Sequence, residues 1–303
     1  MARRAKQKKA PPAYVFNRVV EDGCKDRVLT YSEFIQQAVN GKLTNPEDIS
    51  SRRTDHPDWA GTPTWEDAVR LATHGYTGLN ERIKETSSRI SKVVCSRILR
   101  PEAKYAEAGD EVDVSRFLDG DPEHMIEYPT EEVRASGGRI VTLGCDLCFC
   151  CKVEPDQVKN RGAVICGVCD ALESMGYRVE IRGFLSTESS TTANAPNWYR
   201  TLIIKESDQP LELERIGFVF CHPSFQRRMI FSFREQQPIE VIKAIGFSQS
   251  ARHGLSVQHP GCDSCDIRFP VTNETEYKTV EQSIQQAIAL LQASGTVELD
   301  LAA

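Results

Sequence analysis

No stretch of the 303-residue chain approaches the roughly 18 consecutive apolar residues a membrane-spanning helix needs, so no bilayer-crossing segment is expected. Also missing are GxxxxGKS or GxxxxGKT, GxGxxG and GxSxG, which leaves phosphate-cradling nucleotide loops and strained nucleophile turns without support. No apolar run follows the basic N-terminus, so a secretory signal is not expected. An overall basic excess is absent too, since the formal net charge is −6. Residues 1–9 (MARRAKQKK) hold five basic residues and no acid, so the remainder carries −11. That split argues against a protein that coats nucleic acid and for an acidic body with a short basic arm. Cysteine, by contrast, is plentiful. Eleven cysteines, an odd number, several of them inside expected strands and helices, point to reduced thiols in a cytosol-like compartment.

The clearest organisation lies between Gly138 and Phe184. Ile140 to Leu143 is a short β-branched run bounded by glycines, the signature of a strand buried on both faces. Val164, Val168, Leu172 and Met175 recur at helical spacing, with Ile165 and Cys169 widening the stripe and Gly176 at the helix end. Tyr177, Val179 and Ile181 then alternate with Arg178, Glu180 and Arg182, the period of a strand. Strand, helix and strand in under fifty residues make a βαβ unit with a parallel return.

The segments around it read more simply. Residues 1–14 form a basic arm ending in Pro-Pro, which would solubilise the chain or touch phosphate. Thr30 with Glu33 and Thr64 with Asp67 are capping boxes that start helices over 30–40 and 64–73, and a longer helix is expected over 78–98. The tryptophans Trp59 and Trp65 are expected as packing anchors. Residues 101–136 are acidic, with a short structured turn at Val112 to Leu118. Residues 186–197 form a polar loop, and 198–205 a strand. Residues 211–235 mix helical and extended signals around Pro223. Residues 266–271 read as a strand, and 273–294 as a helix closed by Gly295.

Four groups could carry chemistry. Cys145, Cys148, Cys166 and Cys169 have the C-x2-C…C-x2-C spacing of a zinc ribbon. However, Cys166 and Cys169 continue a helix stripe, so buried packing is the expected role. His253, His259, Cys262 and Cys265 sit in a Gly/Pro-containing loop suited to a metal knuckle. Cys221 and His222 are a nucleophile and a base, but chain neighbours point apart, which disfavours a catalytic pair. Arg227 and Arg228 would bind an anion or pair with the acidic residues 110–127. No bound cofactor is expected, with zinc as the alternative.

The segments DWAGTPTWEDAVRLATHGY, VDVSRFLDGDP, NRGAVICGVCDALESMGYRVEI and CHPSFQRRMIFSF, taken in order over roughly residues 55–295, resemble an uncharacterised family encoded mainly by bacteriophages and mobile elements. The resemblance implies a location in the host cytoplasm or the virion and no assigned activity. The βαβ core also resembles half of a von Willebrand factor A-type fold. There a metal-binding Asp-x-Ser-x-Ser closes the first strand. Asp146-Leu147-Cys148-Phe149-Cys150 stands in that place, and thiols are poor ligands for hard Mg²⁺.

The expected architecture is therefore α/β, with a mainly parallel sheet of Rossmann-like or von Willebrand A-like type. Its expected parts are a basic arm (1–14), a helical N-terminal region with an acidic connector (15–136) and an α/β core (137–303). The favoured function is non-enzymatic: docking another protein or a second copy, around a degenerate metal position at Asp146 and with His222, Arg227 and Arg228 as binding residues. One alternative is a metal-dependent phosphoester enzyme using Asp146, carboxylates from 110–127 and the two arginines. Another is a zinc-stabilised nucleic-acid binder using residues 1–9.

Overall fold

The structure, a computed structural model, describes residues 13–93, 104–109, 111–127, 138–188, 196–247 and 256–296. The basic arm at residues 1–9 and His253 lie outside the described residues. Helix α1 (Ala13–Cys24) leads into a short strand, β1 (Val28–Thr30), and then into α2 (Tyr31–Asn40). Thr30 caps α2, its side chain accepting from the Glu33 amide while the Glu33 carboxylate accepts from the Thr30 amide. A single turn, α3 (Pro57–Ala60), precedes α4 (Trp65–His74), which Thr64 and Asp67 cap in the same reciprocal way and Gly75 closes. Next comes α5 (Asn80–Val93); the rest of the helix expected over 78–98 lies outside the described residues.

A small antiparallel sheet follows. It is built from β2 (Lys104–Ala106), β3 (Glu111–Val112), helix α6 (Val114–Leu118) and β4 (Met125–Glu127), in strand order β2-β4-β3. The expected turn at Val112 to Leu118 is thus a strand end and a one-turn helix.

The βαβ unit is present: β5 (Ile140–Asp146), α7 (Pro155–Ser174) and β6 (Arg178–Thr187), with β5 and β6 parallel and Leu143 opposite Ile181. Strand β7 (Trp198–Lys205) returns antiparallel to β6. Residues 211–235, with their mixed sequence signals, are helical. Helix α8 (Leu213–Cys221) stops before Pro223, a π-helical turn spans Phe225–Ile230, and α9 (Phe231–Glu235) continues it. The aromatic and β-branched residues that suggest strand (Phe218, Val219, Phe220) are buried side chains of α8, so tertiary burial overrides propensity. Helix α10 (Ile239–Ile245), a 3₁₀ turn (Pro260–Ser264), β8 (Ile267–Phe269) and α11 (Val280–Ser294) complete the chain.

The main sheet runs β1-β7-β6-β5-β8 and is parallel except between β6 and β7. The N-terminal region is therefore not purely helical, because Val28 pairs with Thr201 and extends the sheet at one edge. The core is continuous from N-terminal helices to sheet: Phe34, Ala68, Ile83 and Ile90 share it with Val141, Leu143, Ile181 and Leu202. Helix α7 lies at its centre, buried on nearly every side, as expected of a helix apolar all round.

Candidate functional site

In open α/β sheets ligands bind beyond the carboxyl ends of the strands. Asp146 ends β5 at that edge and is 2% exposed. Its Oδ2 lies 3.9 Å from Cys262 Sγ, and Oδ1 has no hydrogen-bond partner among the described residues. Burial pushes its carboxyl up to about 6, against the opposing pull of the Arg161 guanidinium and then His259. A buried carboxylate so displaced marks a place to look for function.

Side chains of α7 tie the segment after β8 down near this edge. Arg161, in the second turn of α7, donates to three backbone carbonyls: Asp146 (2.9 Å), Phe269 (3.2 Å) and Pro270 (3.1 Å). Asn160 Nδ2 donates to the Tyr277 carbonyl at 3.0 Å, and Gln157 Nε2 donates to those of Glu274 and Glu276. The first two turns of α7 thus pin the segment after β8 across the sheet edge. Next to Arg161, a void of about 10 Å³ remains between Gln226 and Thr272. That is the room of one water molecule and too little for a substrate.

The cysteines of the ribbon-like spacing do not converge. Cys145, Cys148, Cys166 and Cys169 are all buried, and among the described residues no three His, Cys, Asp or Glu side chains are placed to hold a metal ion. Cys166 lies against Cys221 from α8, and that contact, with burial, pushes its thiol well up; burial does the same to Cys145 and Cys169. A zinc ribbon needs four sulfurs around one point, and Cys166 instead has Cys221 as its hydrogen-bonded neighbour. Of the second set, His253 lies outside the described residues, and Cys265, half-buried, has its Sγ 3.7 Å from the Gly261 carbonyl. His259 Nδ1 accepts from the Gly261 amide at 2.9 Å, its ring stacks on Phe184 at 4.7 Å, and Nε2 faces Asp26 Oδ1 at 3.6 Å. Cys262 is buried and its thiol is pushed up to about 12. Dialysis of the protein against a strong chelator is therefore expected to leave its thermal midpoint unchanged; a fall of roughly 5 °C or more would mean that a metal holds the fold.

Of the binding residues read from the sequence, His222, Arg227 and Arg228 are buried against the chain's own segments. Arg227 donates to the Trp59 and Val153 carbonyls, with its guanidinium over the Trp59 ring at 4.4 Å. Arg228 donates to Thr62 Oγ1 (2.7 Å) and to the Ser51 (3.0 Å) and Thr62 (2.7 Å) carbonyls. The pair thus holds the 51–63 connector and the Val153 carbonyl, and no bond to the described acidic residues of 111–127 is among these contacts. Each guanidinium has five donors in a rigid fork, so one buried side chain can satisfy several carbonyls of a loop that lacks regular pairing. His222 is enclosed by Tyr76 and Phe218, and burial lowers it to about 4, which keeps it neutral. Cys221 faces Cys166 instead, so no Cys-His pair forms.

A feature that residue order alone does not single out lies on the small sheet. Of seven large hydrophobic side chains exposed among the described residues, five are Tyr105, Val112, Val114, Phe117 and Leu118. Val114, Phe117 and Leu118 fall at i, i+3 and i+4 of α6, one face of a helical turn, and they are 64%, 57% and 77% exposed. Polar contacts hold the unit together: Arg116 lies over the Tyr105 ring at 3.6 Å, and Asp113 caps α6 through the Ser115 and Arg116 amides. Acidic residues flank the stripe along the chain, among them Glu111, Asp113, Asp119 and Asp121. The helical spacing is visible in VDVSRFL. What the spacing cannot show is that the face stays largely exposed, with the Phe117 ring edge-on to His124 at 5.1 Å.

A mainly parallel five-strand sheet flanked by helices, with a small antiparallel sheet beside it, defines an α/β protein. The chain belongs to the family of a domain of unknown function, DUF7192, whose model matches residues 24–293. No curated protein and no solved structure matches it. No helix among the described residues is long and apolar enough to cross a membrane.

Proposed function

We propose that this chain is a non-enzymatic docking protein, and that the apolar face of α6 with its acidic flanks is the surface it docks with. The observation that carries the reading is the exposure of Val114, Phe117 and Leu118 as one stripe, because soluble proteins seldom leave clustered large hydrophobes in water without a partner to cover them. The closed carboxyl edge supports it: Asp146 stands at the von Willebrand A-like metal position, yet Cys148, in place of a hydroxyl ligand, accepts from buried Arg234 at 3.1 Å. On this reading the core is a degenerate von Willebrand A-like scaffold, encoded by a phage or mobile element and working in the host cytoplasm or the virion.

A photo-crosslinking benzoylphenylalanine at Leu118, in cells that naturally make the protein, is expected to give one or a few discrete adducts. The same probe at Lys84, exposed on α5, should give none. Equal labelling from both positions, or no adduct from Leu118, would sink the proposal.

A further inference from the structure

Two thiols and a buried carboxyl share one face of β5 at its carboxyl end. The 3₁₀ turn Pro260–Ser264 carries Cys262, and the Cys265 amide donates back to the Cys262 carbonyl at 3.1 Å. A bond from residue i+3 to residue i holds the two Cα atoms within about 7 Å, the limit for a disulfide. Three residues per turn also set the side chains of i and i+3 on the same side. Cys265 Sγ would stand 2.7 Å from a Cβ built on Gly144, so the sulfur lies against that position. Gly144 and Asp146 are two apart on β5 and face the same side of the strand. Cys262 Sγ lies 3.9 Å from Asp146 Oδ2. Cys262 is buried and Cys265 half-buried, so Cys265 is the sulfur that solvent reaches.

We propose that Cys262 and Cys265 are a redox pair that closes to a disulfide on meeting a low-molecular-weight disulfide, with Asp146 as the proton acceptor. Cys265 Sγ attacks one sulfur of the small disulfide. Its S–S bond breaks, and one small thiol leaves with the proton that Cys265 gives up. Cys262 Sγ then attacks Cys265 Sγ and passes its proton to the Asp146 carboxylate. The bond between Cys265 and the small molecule breaks, and the second small thiolate leaves, taking up the proton that Asp146 returns. Two protein thiols are oxidised to one disulfide, and one small disulfide is reduced to two thiols. The second step needs a base close by. Burial, and then the charge of Asp146, pushes the Cys262 thiol up to about 12, so its thiolate is scarce at neutral pH. Asp146, raised by burial to about 6, is mostly ionised there, and its Oδ1 has no hydrogen-bond partner among the described residues.

The test is to incubate the full chain with glutathione disulfide at neutral pH, quench by alkylation at intervals and map the tryptic peptides. Residues 253–268 form one such peptide and hold these two cysteines and no other. In wild type this peptide is expected to pass from doubly alkylated to unalkylated and two hydrogens lighter, the mark of an internal disulfide. Cys262→Ser should stop at a glutathione adduct on Cys265. Asp146→Asn should build up the same adduct, because closure slows at least about tenfold while the first step keeps its rate. A wild type that keeps both thiols open to alkylation, that holds a lasting glutathione adduct, or that pairs either sulfur with a cysteine elsewhere would overturn the pair. Closure at the wild-type rate in Asp146→Asn would overturn the part given to the carboxylate.

Discussion

Replacing Gly162 by alanine is expected to destabilise the fold by about 2 kcal/mol or more, one methyl group notwithstanding. Helix α7 crosses α8 at this glycine, and a Cβ built there would lie 2.4 Å from the Phe220 carbonyl carbon and oxygen and 2.6 Å from Cys221 Cα. Those are backbone atoms, which cannot swing aside as a side-chain end would. The two helices would have to part in a region where both are buried, and overpacking of that kind costs about 1–3 kcal/mol, occasionally more. Alanine's better helix propensity offsets this by at most about 1 kcal/mol. Gly167 is the internal control. Its Cβ would meet the Ser87 amide nitrogen of α5 at 3.0 Å, a gap the helices can absorb with a smaller shift. Denaturant titration of both variants should place Gly162→Ala well below Gly167→Ala. A Gly162→Ala protein as stable as wild type would mean that the α7–α8 contact is looser than described.

The second large effect concerns pH. Asp146 has its carboxyl raised from an ordinary 3.8 to about 6 by burial, so the folded protein holds this proton more tightly than the unfolded chain does. Its contribution is fully present below pH 3.8 and is lost as the pH rises through 6. A carboxyl raised that far corresponds to roughly 3 kcal/mol lost by pH 7. Asp146→Asn, which cannot ionise, should therefore gain on the order of 2 kcal/mol at pH 7 and nothing at pH 4. His222 works in the opposite sense. Lowered from 6.5 to about 4, it adds stability that is present above pH 6.5 and lost as the pH falls toward 4. In wild type the two contributions largely cancel between pH 4 and 6. Removing Asp146 should expose a steep loss of stability on acidification. Urea midpoints of wild type and Asp146→Asn at half-unit intervals would show it, and parallel curves would refute the assignment. A carboxylate kept at such a cost is the strongest observation on the side of the metal-dependent alternative.

Features governed by neighbours along the chain are legible from residue order. The capping boxes at Thr30 and Thr64, the strands beginning at Ile140, Arg178 and Trp198, the parallel return through α7 and the C-terminal helix all follow from side-chain period and terminal signals a few residues apart. Cysteine and valine look alike to such a pattern, and the helix stripe already argues for packing at Cys166 and Cys169.

Contacts between distant segments are decided only by folding. Val28 finds Thr201, Arg228 reaches the carbonyls of Ser51 and Thr62, and Arg161 holds the segment after β8 across the edge where a ligand would otherwise sit. No local period encodes which carbonyl an arginine meets, because those partners come together only when separate surfaces pack. The same holds for α6. Its spacing makes Val114, Phe117 and Leu118 share a face, but whether that face is covered or open depends on where every other element goes.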